Sequence, residues 1–170
     1  AVAEVTSSAP RTDFTEAGRD TAPATRQAPT MTPSPTPPGP SVLIDDIAFH
    51  AELAVTLAER AKGLSDRDEL QPVTGMLFIY ATPTIPRFWM KGMRFSLDFI
   101  WVSEDCVVSE ITPNVPVLEP DQEALPGYIP SSPVLYNFEI NAGEAQRHGI
   151  SVGSRVRFLG FPDSVARICD

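Results

Sequence analysis

Two charged side chains stand in the most apolar part of this chain. In FWMKGMRFSLDFIW, Phe88 to Trp101, Lys91 follows Trp89 and Met90, and Asp98 lies seven residues on, between Leu97 and Phe99. On an extended chain Trp89, Lys91, Met93 and Phe95 project to one side and Phe88 and Met90 to the other. Neither side is polar, so the Lys91 ammonium is expected to be at least half desolvated and to need a partner. Asp98 shares its face with Ile100 and Val102. If the bend GMRFS sets its two flanking segments side by side, the two charges meet. The structural reading is an ion pair that fixes the bend, and it is the simpler one, because buried pairs often give specificity rather than activity. The functional reading is a lysine held in a pocket for an anion or carbonyl, or tuned by desolvation as a base or nucleophile.

Arg60 could join that lysine. It lies on TLAERAKGL, where Glu59 and Lys62 belong to the exposed side, and a solvated helix charge is the default. Turned inward, Arg60 and Lys91 would form a small positive patch suited to a carboxylate or phosphate-like group. Trp89, Trp101, Tyr80 and Tyr128 could line a sugar or peptide groove, although aromatics at strand spacing are more often core. Tyr128 is the exception, because it sits in a long loop where packing does not require it. Other catalytic templates fail. There is no nucleophile elbow, no phosphate-cradling glycine loop and no paired carboxylates. His148 sits in a helix-ending turn, where the helix dipole alone accounts for it. Cys106 has Glu104 and Asp105 beside it, which would raise its pKa. No His/Cys cluster has metal-ligand spacing, so neither a metal nor a cofactor is expected.

The elements that must position these residues are mostly strands. IAFHAELA (47–54) alternates Ile47, Phe49, Ala51 and Leu53 onto one face. TLAERAKGL then changes period to a short helix, with Thr56 as cap and Gly63 as terminator. GMLFIY (75–80) is a strand that ATPTIP breaks with two prolines. RFWMK and LDFIWVS are strands around the bend, and LDFIWVS forms a hairpin with CVVSEIT over 97–112. Residues 113–133 are a long proline-rich loop, a kind usually functional or mobile. VLYNFEI is a strand, and AGEAQRHGISVGSRVRFLG is a helical turn leading to a last strand. Six or seven strands with one or two short helices predict a mainly β (α+β) fold, a small β-barrel-like domain in which closure removes the edges.

Ahead of it, residues 1–41 are a different polymer. TAPATRQAPTMTPSPTPPGP has almost no large apolar residue and is predicted to be a disordered Pro/Thr/Ala-rich tether, with residues 42–170 forming one domain. The chain has 170 residues and a net charge of −9, from 13 Lys+Arg against 22 Asp+Glu. That balance repels phosphate backbones, so nucleic acid is not an expected partner. No run reaches the roughly 18 apolar residues of a membrane span. The tether suggests an exported bacterial protein, periplasmic or in the cell envelope, with N-terminal anchoring; the cytoplasm is not excluded. Cys106 and Cys169 allow one disulfide pinning the tail, which on the loop-entropy argument would stabilise by about 4 kcal/mol. They also allow a partly buried Cys106 with a free Cys169 beside the last residue. The sequence leans slightly to the unbonded pair, since connectivity cannot be read from it.

ERAKGL (59–64), GMLFIY (75–80), FWMKGM (88–93), LDFIWV (97–102) and FEINAGEAQRHGISVGSRV (138–156) follow one another in an order and spacing that resembles the bacterial and archaeal domain of unknown function 192, over about residues 47–159. The resemblance implies a single small β-rich domain, often exported, with no established activity. Its E-R-x-x-G-L falls on Glu59, Arg60, Gly63 and Leu64, its W-M-K on Trp89, Met90 and Lys91, and its L-D on Leu97 and Asp98. Three positions depart from the pattern: Ser65 for a methionine, Gly92 for an asparagine and Ser96 for a proline. The shape A-x-x-x-G-I-x-x-G-x-x-V-x-F, from Ala145 to Phe158, is also similar to a segment of psi-type β-barrels.

These observations lead to an exported, monomeric, non-enzymatic module that binds a small molecule or a protein partner through Arg60, Trp89, Lys91, Asp98 and Tyr128. The alternatives are an enzyme using Lys91 and Asp98 in a pocket on an anionic or carbohydrate-like substrate, and a purely structural envelope domain.

Overall fold

Seven strands and two short helices account for the residues described in this computed structural model, 39–119, 126–162 and 169. The predicted tether lies outside the described residues except for 39–41, and Ser41 already opens the first strand. In chain order the elements are β1 (Ser41–Ile44), β2 (Ile47–Ala54), α1 (Leu57–Lys62), β3 (Thr74–Thr84), β4 (Leu97–Val102), β5 (Val108–Val115), β6 (Val134–Asn141), α2 (Glu144–Arg147) and β7 (Val156–Leu159). They form one mostly antiparallel sheet in the order β5-β4-β6-β3-β2-β1-β7, with β2 and β3 the parallel pair that α1 connects.

The sheet curls into a half-barrel whose two edge strands meet at one corner. Val107 bridges Arg155, and Val108, Cys106, Gly153, Ser154 and Val156 exchange backbone hydrogen bonds of 2.8–2.9 Å across the seam. Edge N–H and C=O groups that would template aggregation are thereby used internally over the start of both strands. The Cys106–Cys169 disulfide, Cα–Cα 5.4 Å, lies at the same corner. Cys169 is 2 % exposed and its carbonyl accepts from Phe158 N at 2.8 Å. The sequence leaned to unbonded cysteines; the fold brings residues 63 positions apart together, which no local pattern encodes.

Both faces of the central strands are covered. On one face Phe49, Leu77, Ile100, Phe138 and Ile140 form a core. On the other Met76, Phe78, Leu97, Phe99 and Trp101 form a second core, over which α1 and the 85–95 segment lie. This is why β4 and β6 read as nearly unbroken apolar runs rather than as alternating ones: each is buried on both sides.

Where the strands depart from the sequence reading, the reason is local. β3 continues through Pro83 to Thr84, with its register against β6 shifting after Ile79 and resuming at Thr84–Val134. A proline is tolerated there because the ladder is already interrupted. RFWMK is not a strand; of its residues only Phe88 pairs, through a two-bond bridge to Tyr128. The short helix forms as read. Thr56 Oγ1 accepts from Glu59 N, and Glu59 Oε2 accepts from Thr56 N at 2.8 Å, a reciprocal capping box.

One close approach sets the floor of the sheet. A Cβ on Gly75 would lie 2.5 Å from the Phe138 ring and 2.6 Å from the Glu139 carbonyl oxygen. Because part of that obstacle is backbone of the paired strand, Gly75→Ala is expected to destabilise the domain by about 3 kcal/mol through overpacking. A fall in Tm of several degrees in thermal denaturation would bear this out; a Tm within a degree of the parent would contradict it.

Candidate functional site

Over the second core, α1 and the 85–93 segment leave a cleft of about 260 Å³ between them. One wall is α1, where Leu57, Arg60 and Ala61 fall at helical spacing on one side. The other wall is Arg87, Phe88, Trp89, Met90 and Met93. The floor is the sheet itself: Phe78 and Tyr80 from β3, Leu97 from β4 and Glu139 from β6. Trp89 is 52 % exposed and Leu57 80 % exposed, so the rim offers apolar surface to whatever enters.

Arg60 is built into the wall. Its Nη1 donates to the Ile79 carbonyl at 2.9 Å and to the Val55 carbonyl, and its guanidinium carbon lies 5.1 Å from the centre of the Tyr80 ring. Carbonyls and a π face hold the cation in place without neutralising it. Arg87 is exposed and has no hydrogen bond or ion pair to any described residue. Its side chain lies against Gly127, where a Cβ would overlap the guanidinium. The Phe88–Tyr128 bridge, N–O 2.9 Å in both directions, fixes this wall to the long loop, and Tyr128 also packs edge-on against Phe99.

Glu139 is the unusual member. It is 4 % exposed, and no described residue donates a hydrogen bond to its carboxyl. Its neighbours across the sheet are Met76 and Phe99. Burial among such groups pushes its pKa from 4.5 up to about 8, so the carboxyl keeps its proton at neutral pH. Burial likewise drives the Tyr80 phenol up to about 12, with Arg60 opposing and Glu139 reinforcing the rise. Two positions along β6 on the same face, Asn137 is fully buried, and its carboxamide makes no hydrogen bond to any described residue.

The residues singled out from sequence separate into two sets. Arg60 and Trp89 line the cleft, and Tyr128 braces its wall. Lys91 is exposed, does not line the cleft and makes no ion pair with any described residue. Asp98 is fully buried on the opposite face of the sheet, where its oxygens accept from Asn114 N at 2.8 Å and Ala145 N at 3.0 Å. It ties β4 to β5 and to the start of α2. The partner that its burial demanded is backbone, not Lys91. Glu139 and Arg87 were not singled out from sequence. For Glu139 a signal existed, since a glutamate between Phe138 and Ile140 in a strand without a polar face must be buried. For Arg87, next to a proline, none did. The departure at Gly92 is conformationally neutral: its φ is +73°, a region that asparagine also tolerates.

The family model for domain of unknown function 192, described as an uncharacterized ACR, matches residues 41–158. Among solved structures, a protein of unknown function from Novosphingobium aromaticivorans is similar at 35% identity and a TM-score of 0.64, covering 69% of this chain and 83% of its own. A protein from Sinorhizobium meliloti, whose assignment as a transcription regulator is provisional, is similar at 30% identity and a TM-score of 0.60, covering 72% of this chain and 93% of its own. None of the curated proteins compared matches the chain.

Proposed function

The chain belongs to the domain of unknown function 192 family, and from that premise we propose that it is a module that binds a small organic anion in the cleft between α1 and the 85–93 segment. One observation carries this reading: Arg60 and Arg87 line a recess whose one carboxyl is held uncharged by burial, in a chain whose net charge is −9. Guanidinium groups recognise carboxylate and phosphate oxygens through directed, charge-assisted hydrogen bonds. The recess is smaller than the ~300–1,000 Å³ of drug-sized ligand sites, which favours an anion of a few carbons. Trp89 and Phe88 supply an apolar wall for its body.

An enzyme resting on Lys91 and Asp98 is not favoured, because the sheet stands between the two groups. Acid–base chemistry in this protein would run through Glu139 instead, whose pKa near 8 suits such work. The regulator assignment of the Sinorhizobium protein is not carried over, since an acidic chain disfavours duplex DNA. The same reading puts the domain outside the cytoplasm on an N-terminal tether. The Cys106–Cys169 disulfide supports that placement, because such bonds persist in oxidising compartments.

The test is calorimetric titration of the protein with acetate, succinate, glucuronate and inorganic phosphate at pH 6. Arg87→Gln is expected to weaken the tightest of these about tenfold or more, as loss of a charge-assisted hydrogen bond does. Stability should change by less than about 0.5 kcal/mol, because Arg87 is exposed and unpaired among the described residues. Equal affinity in parent and variant, or no binding by the parent, would remove this reading.

A further inference from the structure

Glu139 has no structural task that its charge would serve. It is not an ion-pair partner of Arg60, Lys62 or Arg87, it caps no helix, and Met76 and Phe99 flank it where a leucine would pack as well. Its one distinction is its place: a carboxyl without a donor, almost fully buried, on the floor of the cleft.

We propose that Glu139 is a specificity-determining residue of this cleft, admitting an anionic ligand only while its own carboxyl carries a proton, so that binding is coupled to protonation. The inference rests on the anion-binding reading above and adds the residue that regulates it. In the protonated state the O–H has no acceptor among the described residues and is available to a ligand oxygen. Once the proton leaves, a second negative charge occupies the same small recess, on a side chain that is 4 % exposed. Like charges at such separations disfavour each other strongly where water is excluded. The ligand carboxylate and the Glu139 carboxylate therefore compete, and ligand binding above neutral pH takes up a proton.

The groups that face Glu139 do not supply an alternative switch near pH 8. Tyr80, from β3, stays neutral to about 12. β4 presents Leu97 and Phe99, and Asn137 beside it on β6 does not ionise. Arg60 and Lys62 from α1, and Arg87 from the opposite wall, are cations, with Lys62 paired to Asp66 at 3.1 Å. Free Glu139 is half ionised near pH 8, and this sets where the coupling appears.

The tighter-binding of acetate and glucuronate, neither of which titrates appreciably between pH 6 and 9.5, serves as the probe. For the parent protein Kd is expected to rise at least tenfold between pH 6 and pH 9.5. Glu139→Gln, which keeps the uncharged shape, should hold Kd within threefold over that range. Should that variant fail to fold, the parent alone suffices. Calorimetry at pH 8 in buffers of different ionisation enthalpy should show about half a proton taken up per ligand bound. A pH-independent Kd, a variant that loses affinity as steeply as the parent, or no proton uptake would overturn the inference while leaving the anion site standing. Absence of binding by the parent at pH 6 would instead remove the reading beneath it.

Discussion

Replacing both cysteines, Cys106→Ala with Cys169→Ala, lowers the stability of the domain by about 4 kcal/mol in urea denaturation. The disulfide closes a loop of 63 residues, and constraining a chain over that span reduces the entropy of its unfolded state by an amount of this size at 25 °C. The bond also acts at the corner where the two edge strands meet. Among the described residues the two edge strands are joined by the Val107–Arg155 bridge and its neighbouring hydrogen bonds. Without the covalent link, Phe158 keeps its hydrogen bond to the Cys169 carbonyl only for as long as Cys169 stays in place on its own. Alanine is the appropriate replacement, since Cys169 is buried and a serine hydroxyl there would need a partner. Cys106 has φ +58°; alanine carries the same backbone strain there, so that contribution cancels. The double variant should also show a larger m-value, because its unfolded chain is less constrained. A loss below about 1 kcal/mol would mean that the seam holds without the bond.

What the sequence disclosed, and what it hid, follows from the range of each interaction. The α1 capping box spans four residues, and the alternation of β2 spans eight; both were legible because their cause is local. The apolar runs of β4 and β6 told correctly of strands, yet their meaning lay in a property no single strand reveals, namely burial on both faces. In such a strand any ionisable residue is forced inside, and two such carboxyls are present. Asp98 stands out in sequence because Lys91 is near it, and its full burial does require partners. Those partners are backbone N–H groups of Asn114 and Ala145, not the side chain seven residues away. Residues 87–91 carry a strand period in sequence, yet they cross the sheet face as an irregular cover held by Phe88, Met90 and a single bridge. Lys91, lacking any strand to turn it inward, faces water. The same logic applied to VLYNFEI would have nominated Glu139, whose neighbours Phe138 and Ile140 leave it nowhere to go but the opposite core.

Glu139→Gln is expected to reverse the order of stability of parent and variant across neutral pH. The Glu139 carboxyl has a folded-state pKa of about 8 against 4.5 in its ordinary environment, so between those values the native state holds a proton that the unfolded chain releases. Stability then falls as pH rises, by up to about 1.4 kcal/mol per pH unit, because each unit favours the state that has lost the proton. The contribution is whole below about pH 4.5, declines as pH rises through 8, and is flat beyond that. Over the full window it amounts to roughly 5 kcal/mol. Glutamine does not titrate, so the variant is free of this slope; its amide has two N–H donors to leave unpaired where the neutral carboxyl has one O–H, an extra cost of about 1–3 kcal/mol over the protonated acid at every pH. At pH 5 the parent should therefore be the more stable, and at pH 9 the variant, with the curves crossing between. Urea denaturation of both proteins at five or six pH values measures the difference directly, and other titrating groups cancel in it. Parallel curves would show that Glu139 is hydrated or partnered in solution, and the uncharged floor of the cleft would then have no support. A crossing would show that the fold holds an acid whose ionisation works against it at every pH above neutrality, although a leucine would fill the same space. A cost of that kind, located on the floor of a cleft with two guanidinium groups in its walls, is what a site kept for an anionic visitor requires and a merely structural strand does not.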